Sequence, residues 1–272
     1  MRTRHDARPT LWQIPISHYS EKVRWALEYK GVSHLRRSPV PGAHMPLALW
    51  LSGGSSPTLP ILKIDGEAVC GSAQIIDVLE QRFRDPALYP ADPAERGRAK
   101  DIAAWLDRDL GPAVRRLAFF ELRSDPERLA AIGRLAAPAL PAPMRVTSNA
   151  YTRAFTALRY RAGSASEADR AREAIHAGVA RIEQELGEGE YLVGGAFSSA
   201  DLTASALLSP LFLPPESAMF LTSMPESYER FRSELAGGRA YRWAEDVFRR
   251  HRHGRPAAAH AAGALAGSDA VI

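Results

Sequence analysis

The chain has 272 residues, 46% hydrophobic and 24% charged, a formal net charge of +4 and a single cysteine. That length supports a sizeable core in one domain or two, and the lone Cys70 excludes an internal disulfide framework and any cysteine-cluster metal site. Residues 1–8 carry +2 of the excess and 251–272 another +1, so the body has little basic bias and nucleic acid is not an expected partner. No run approaches the ~18 apolar residues of a membrane span, and no apolar stretch resembling a signal peptide follows the first eight residues. A cytoplasmic location without a membrane partner is the default expectation.

In chain order, residues 10–14 read as a short buried strand closed by Pro15. A helix is predicted from Ser20 to Tyr29, with Val23, Ala26 and Leu27 at helical spacing and Gly31 as its C-cap. Val32 to Arg37 is a second predicted strand, followed by a Pro- and Gly-rich stretch with room for one short helix. Ile61–Ile64 and Glu67–Cys70 flank Asp65-Gly66, a strong hairpin signal. Ser72 is expected to cap a helix whose apolar stripe is Ile75, Ile76, Leu79 and Phe83. The order β-α-β-α-β-β-α is thioredoxin-like. Ser17 stands at the joint of the first strand and helix, where first-turn N–H groups face outward and hold an anion. A hydroxyl there can keep a bound thiol ionised, which points to thiol-handling chemistry. Cys70, in the apolar run Ala68-Val69-Cys70, reads as a small buried hydrophobe.

Residues 84–93 contain three prolines and read as a linker, after which strand signals give way to long helical patterns. Ile102, Leu106, Leu110, Val114 and Leu117 share one face, with a bend or break expected at Gly111-Pro112. Ala171, Ile175, Val179, Ile182 and Leu186 mark another helix, and Ser223 with Glu226 has the spacing of a capping box ahead of Tyr228, Phe231 and Leu235. The expected fold is an α/β thioredoxin-like domain over 9–84, a linker over 85–93 and an all-helical domain over 94–250, with a flexible tail over 251–272. His251, His253 and His260 in or beside that tail are too weak a pattern to imply a metal.

Four features in this order carry a family resemblance: Ser17-x-x-Ser20-x-Lys22-Val23-Arg24, Thr58-Leu59-Pro60-Ile61-Leu62, Gly71-Ser72-x-x-Ile75, and Phe197-Ser198-Ser199-Ala200-Asp201-Leu202. Together they resemble the cytosolic glutathione S-transferase superfamily, in its bacterial serine- or cysteine-type members. The resemblance implies that Ser17 is the catalytic residue. Related redox proteins have Cys-x-x-Cys there, and a hydroxyl stabilises a thiolate but forms no mixed disulfide, so Ser17 and Ser20 favour conjugation over thiol reduction. Pro60 would be the family's cis proline, presenting the N–H and C=O of Leu59 to the peptide backbone of glutathione. Ser72 would receive the γ-glutamyl carboxylate, with Gly71 standing where the family usually has Glu or Gln and leaving thiol specificity open. Candidates for the glycine end are Arg36, Arg37 and His44. Tyr19 is an alternative hydroxyl donor and, with Trp105, Leu106, Arg108 and Asp109, a candidate wall of the electrophile site, whereas Phe119, Phe120 and Tyr151 read more as core. Lys22 and Arg24 are expected on the helix surface or at the domain contact. Ser198 and Asp201 would form a structural capping box with Phe197 as its hydrophobic staple.

The implied function is a glutathione transferase of the detoxification type, using glutathione as co-substrate and no metal, acting on a small hydrophobic electrophile and working as a homodimer. The alternatives are a non-catalytic thiol- or protein-binding member of the fold, and a glutathione-dependent isomerase, dehalogenase or ether-cleaving enzyme.

Overall fold

A computed structural model describes residues 8–39, 44–136, 153–215 and 224–252. Among these, four strands form one sheet in the order β2-β1-β3-β4: β1 (Thr10–Trp12), β2 (Leu35–Arg37), β3 (Ile61–Ile64) and β4 (Glu67–Cys70). β1 runs parallel to β2 and antiparallel to β3, which pairs antiparallel with β4. The alternation of side chains along a strand divides the core between the two faces. Leu11, Leu62 and Ile64 join the main core with α1 (His18–Tyr29) and α3 (Ser72–Arg82). Ile61 packs on the opposite side with Ala48 and Leu51 of α2 (His44–Leu51), where half-buried Cys70 completes a smaller cluster.

The turns follow local chemistry. Asp65 and Gly66 both take positive φ, 51° and 86°, as a two-residue hairpin requires. Helix α1 starts at His18, two residues before its predicted start, because Ser17 caps it: the Ser17 Oγ accepts from the Ser20 N–H at 3.4 Å. Its C-cap is Lys30, one residue before the predicted Gly31, which follows with positive φ (65°); Val32 N–H donates to the Leu27 carbonyl at 2.8 Å and Gly31 N–H to Glu28 at 2.9 Å. β2 is shorter than its predicted span, beginning only at Leu35.

From Pro93 to Leu122 the chain is one continuous helical rod: α4 (Pro93–Trp105), a π-helical turn (Leu106–Leu110) and α5 (Gly111–Leu122). The expected break at Gly111-Pro112 does not occur. Pro112 has no N–H to give, and the wider turn just before it accommodates that gap without ending the helix. The remaining helices are α6 (Pro126–Ala136), α7 (153–159), α8 (Ala165–Leu186), α9 (Ser199–Phe212), α10 (Glu226–Ala236) and α11 (Arg239–His251). Each of the fourteen residues of α9 is buried, so this helix is the axis of the second domain and packs on α1, α4, α5 and α11.

The capping box of α9 forms as the sequence suggests. Asp201 accepts from the Ser198 N–H at 2.8 Å, the Ser198 hydroxyl at 2.7 Å and the Leu192 N–H at 2.7 Å, and Phe197 before the cap is buried. At α10 the N-cap is Pro225 and Glu229 accepts the Met224 N–H, while Ser223 of the expected box lies outside the described residues. Lys22 and Arg24 are buried at the domain contact, not on a helix surface. Arg24 and Arg252 both donate to Glu21, and Trp25 Nε1 donates to the His251 carbonyl at 3.0 Å, so α1 and the end of α11 share a buried polar network. His251 stacks on Phe197, while His253, His260 and most of the predicted tail lie outside the described residues. Among the described residues no three metal-ligating side chains cluster, and no helix is long and apolar enough to cross a membrane.

Candidate active site

A cleft of about 610 Å³ opens between the sheet domain and the helical domain. Its sheet-side wall brings together Ser17, Tyr19, His44, Leu59, Pro60 and Ser72, which the sequence nominated separately. Ser17 sits at the mouth of α1. Its oxygen accepts from Ser20, and its own proton has no acceptor among the described residues, which leaves it free to donate into the cleft. Ser20 is buried and structural, its Oγ accepting from Ile14 N–H at 3.3 Å. The Tyr19 hydroxyl is committed elsewhere: it donates to the Asp107 carbonyl at 2.7 Å, and burial raises its pKa further above the ordinary phenol value.

The Leu59–Pro60 peptide is cis, and Pro60 C=O accepts the Gly71 N–H at 3.1 Å, which ties the start of β3 to the start of α3. Ser72 is the first residue of α3 and not its cap. The cap position is Gly71, in a positive-φ conformation (88°) that favours glycine and with no side-chain bond to the helix. The space a side chain would take at Gly71 is filled: a Cβ there would stand 2.6 Å from Gln74 Oε1. Gln74 also lines the cleft. A carboxamide one turn into α3 thus occupies the place left by the glycine.

His44, at the start of α2, is buried against the edge of Phe155 at 5.4 Å, and burial holds its imidazole below the usual pKa. Arg37 is exposed on β2 and outside the cleft wall, and Arg36 pairs with Glu28. Only one of the three candidates for the glycine end therefore borders the cavity.

On the helical side the lining follows the stripe Ala104, Asp107, Arg108, Arg115, Ala118 and Phe119, joined by Phe155, Arg159 and Tyr160. Trp105 and Asp109 fall off that stripe. Trp105 is buried beneath Arg181, whose guanidinium carbon lies 4.1 Å from its ring, and Asp109 is exposed and paired with Arg108 at 2.9 Å. The lining keeps the spacing Ala104, Arg108, Arg115 and Phe119 along the rod, and Trp105 and Asp109 stand one position round the helix from it. Phe120 is buried outside the lining, Phe119 is within it, and Tyr151 lies outside the described residues. Gln74, Asp107, Arg115, Arg159 and Tyr160 were not read from the sequence. The i, i+3/i+4 spacing of Ala104, Asp107, Arg108, Arg115 and Phe119 was the available signal.

His18 faces the same cleft. Burial, with the Arg115 guanidinium nearby, pushes its imidazole down to about 3, so the ring is neutral. Asp107 Oδ2 accepts from the buried Lys22 ammonium at 2.7 Å.

A thioredoxin-like sheet domain followed by a helical domain, with a serine-capped helix and a cis proline on the shared cleft, defines the two-domain transferase architecture. The family model for the glutathione S-transferase N-terminal domain matches residues 11–87, and that for the C-terminal domain matches 141–229. With both models matched in order, the chain belongs to the glutathione S-transferase superfamily. A probable glutathione S-transferase of Solanum tuberosum is 30% identical over 122 residues, 45% of this chain and 55% of that one. Maleylacetoacetate isomerase of Pseudomonas aeruginosa is 35% identical over 99 residues, 34% of this chain and 46% of its own. The chain spans about half the length of these curated relatives. Among solved structures, the beta-etherase LigF of Sphingobium sp. strain SYK-6 superposes with a TM-score of 0.57 at 19% identity, over 88% of this chain and 98% of that one, a likeness of fold.

Proposed function

We propose that this protein is a glutathione transferase in which Ser17 activates the thiol of glutathione for attack on an electrophile held against the helical domain. The observation that carries the reading is the Ser17 hydroxyl, without an acceptor among the described residues, at the mouth of α1 and on the same wall as the cis proline and Ser72. Glutathione supplies the nucleophilic sulfur. Ser17 donates to that sulfur and, with the first-turn amides of α1, favours its ionised form. A shift of about 2 units from the ordinary thiol value near 8.5 corresponds to about 2.7 kcal/mol of preference for the thiolate. The thiol proton leaves to solvent, a carbon–sulfur bond forms, and the leaving group departs with its electron pair.

The rest of the cradle divides by chemistry. The backbone of Leu59 pairs with the peptide of glutathione, and Ser72 at the start of α3 receives the γ-glutamyl carboxylate. Gln74 supplies the orienting amide that Gly71 lacks, and His44 borders the glycine end as a neutral donor. Residues 9–84 form the thiol domain, and 94–250 carry the electrophile site. Two copies pairing the first domain of one with the second of the other complete the expected assembly.

The test is calorimetric titration with glutathione together with the ultraviolet absorbance of the bound thiolate against pH, in wild type, Ser17→Ala and Tyr19→Phe. Saturable binding and a lowered thiol pKa are expected, returning towards the free value in Ser17→Ala and unchanged in Tyr19→Phe. No saturable binding, or a thiol pKa indifferent to Ser17, refutes the reading. The relative named maleylacetoacetate isomerase supports a second reading, in which glutathione adds to the substrate and is released again. Product analysis separates the two, since isomerisation leaves glutathione unconsumed.

A further inference from the structure

Three buried side-chain atoms without a hydrogen-bond partner among the described residues belong to cleft residues: His18 Nε2, Asp107 Oδ1 and Arg115 Nε. Buried polar groups are ordinarily paired, so a cluster of orphans on one wall calls for a ligand with polar groups of its own. Arg115 is the most informative of them. Its guanidinium makes no ion pair or hydrogen bond among the described residues, although it is half-buried in the cleft wall. Its neighbours are aromatic: its guanidinium carbon lies 4.2 Å from the Tyr160 ring centre and 5.6 Å from that of Tyr19. A guanidinium engaged through its face keeps its in-plane N–H donors available, in the fork geometry that suits a carboxylate.

The other charges do not cancel this cation. Asp107 is matched by Lys22 at 2.7 Å and Arg108 by Asp109 at 2.9 Å, while His18 and His44 are held neutral by burial. Arg159, exposed at the end of α7, adds a second guanidinium to the lining without an acidic partner among the described residues.

We infer that the electrophile site is built for an acidic aromatic substrate, whose carboxylate is received by Arg115 while its ring lies against Tyr160 and Phe119. The inference names the substrate class of the transferase reading and rests on it for the chemistry, but its binding prediction stands alone. It also revises the expectation of a purely apolar electrophile. Arg115 is the specificity-determining residue, and Arg159 adds favourable potential at the lip of the cleft.

The probes are dinitrobenzoate and its neutral counterpart dinitrobenzamide, titrated calorimetrically into the wild-type protein, Arg115→Gln and Arg115→Lys, with glutathione titrated in parallel. A desolvated charge-assisted pair predicts that the acid binds about tenfold to a hundredfold tighter than the amide in wild type. Arg115→Gln should abolish that preference and Arg115→Lys should retain part of it, with glutathione affinity unchanged in both and amide binding retained. Equal binding of acid and amide to the wild type, or a preference that survives Arg115→Gln, overturns the inference. Retained amide binding shows that the variant is folded. Failure of glutathione alone to bind strikes the transferase reading, leaving the acid-over-amide comparison to decide Arg115.

Discussion

Lys22 Nζ lies 2.7 Å from Asp107 Oδ2 and joins the first helix to the π-helical turn of the second domain. The lysine is 1% exposed and the aspartate 18%, so the pair is largely withdrawn from water. The same turn accepts the Tyr19 hydroxyl through the Asp107 carbonyl, so one short segment fixes both the domain contact and a cleft residue.

Replacing Lys22 by Met leaves the Asp107 carboxylate buried without its partner, at an expected cost of about 3 kcal/mol. The double change Lys22→Met with Asp107→Leu should recover much of that loss, because neither charge is then left alone. Urea unfolding of the four proteins in this cycle measures the coupling. Additive losses would show that the two residues act independently.

The second prediction concerns the exchange of side chains at the start of α3. Gly71→Ala forces a strained φ and drives a Cβ to within 2.6 Å of Gln74 Oε1. A destabilisation of about 1–3 kcal/mol is expected from the backbone strain. Gln74→Ala keeps the backbone and should change stability by about 0.5 kcal/mol or less. It should nevertheless weaken glutathione binding about tenfold, the worth of one hydrogen bond to a charged group. Cysteinylglycine, which lacks the γ-glutamyl arm, should bind both proteins alike. Equal losses for the two thiols would remove Gln74 from its assigned role.

Much of the site on the sheet side was legible because local rules fix it. A hydroxyl before a helix becomes a cap, Asp65-Gly66 becomes a tight turn, and Ser198 with Asp201 becomes a box whatever surrounds them. Ser72 reads as the cap from sequence but stands one position inside the helix, because Gly71, free to take positive φ, is the residue that turns into it. The helical wall was less legible. The stripe Ala104, Arg108, Arg115 and Phe119 keeps helical spacing, but which side of the rod meets the sheet domain is fixed by tertiary packing, so Trp105 and Asp109 stand one position off the cleft that Asp107 and Arg115 line. Sequence leaves Lys22 and Arg24 between helix surface and domain contact, because the groups that decide it, Asp107 at Lys22 and the end of α11 beside Glu21, arrive only in the folded chain.

The last prediction is a pH dependence that isolates His18. Burial, then the nearby Arg115 charge, lower its pKa from the ordinary 6.5 to about 3. The unfolded chain therefore takes up a proton below about 6.5 that the folded chain refuses, so stability present above that value is lost as the pH falls. Between about pH 7.5 and pH 5 the loss attributable to this ring is about 2 kcal/mol. Asp201, pushed up to about 6 by burial, titrates in the same window with the opposite sign, but it is common to wild type and variant. Urea midpoints at about pH 7.5 and about pH 5 should therefore fall further in wild type than in His18→Gln, in which any fixed cost of the substitution cancels between the two conditions. An equal fall in both would place the neutral imidazole elsewhere than in the desolvated wall where α1 meets α5.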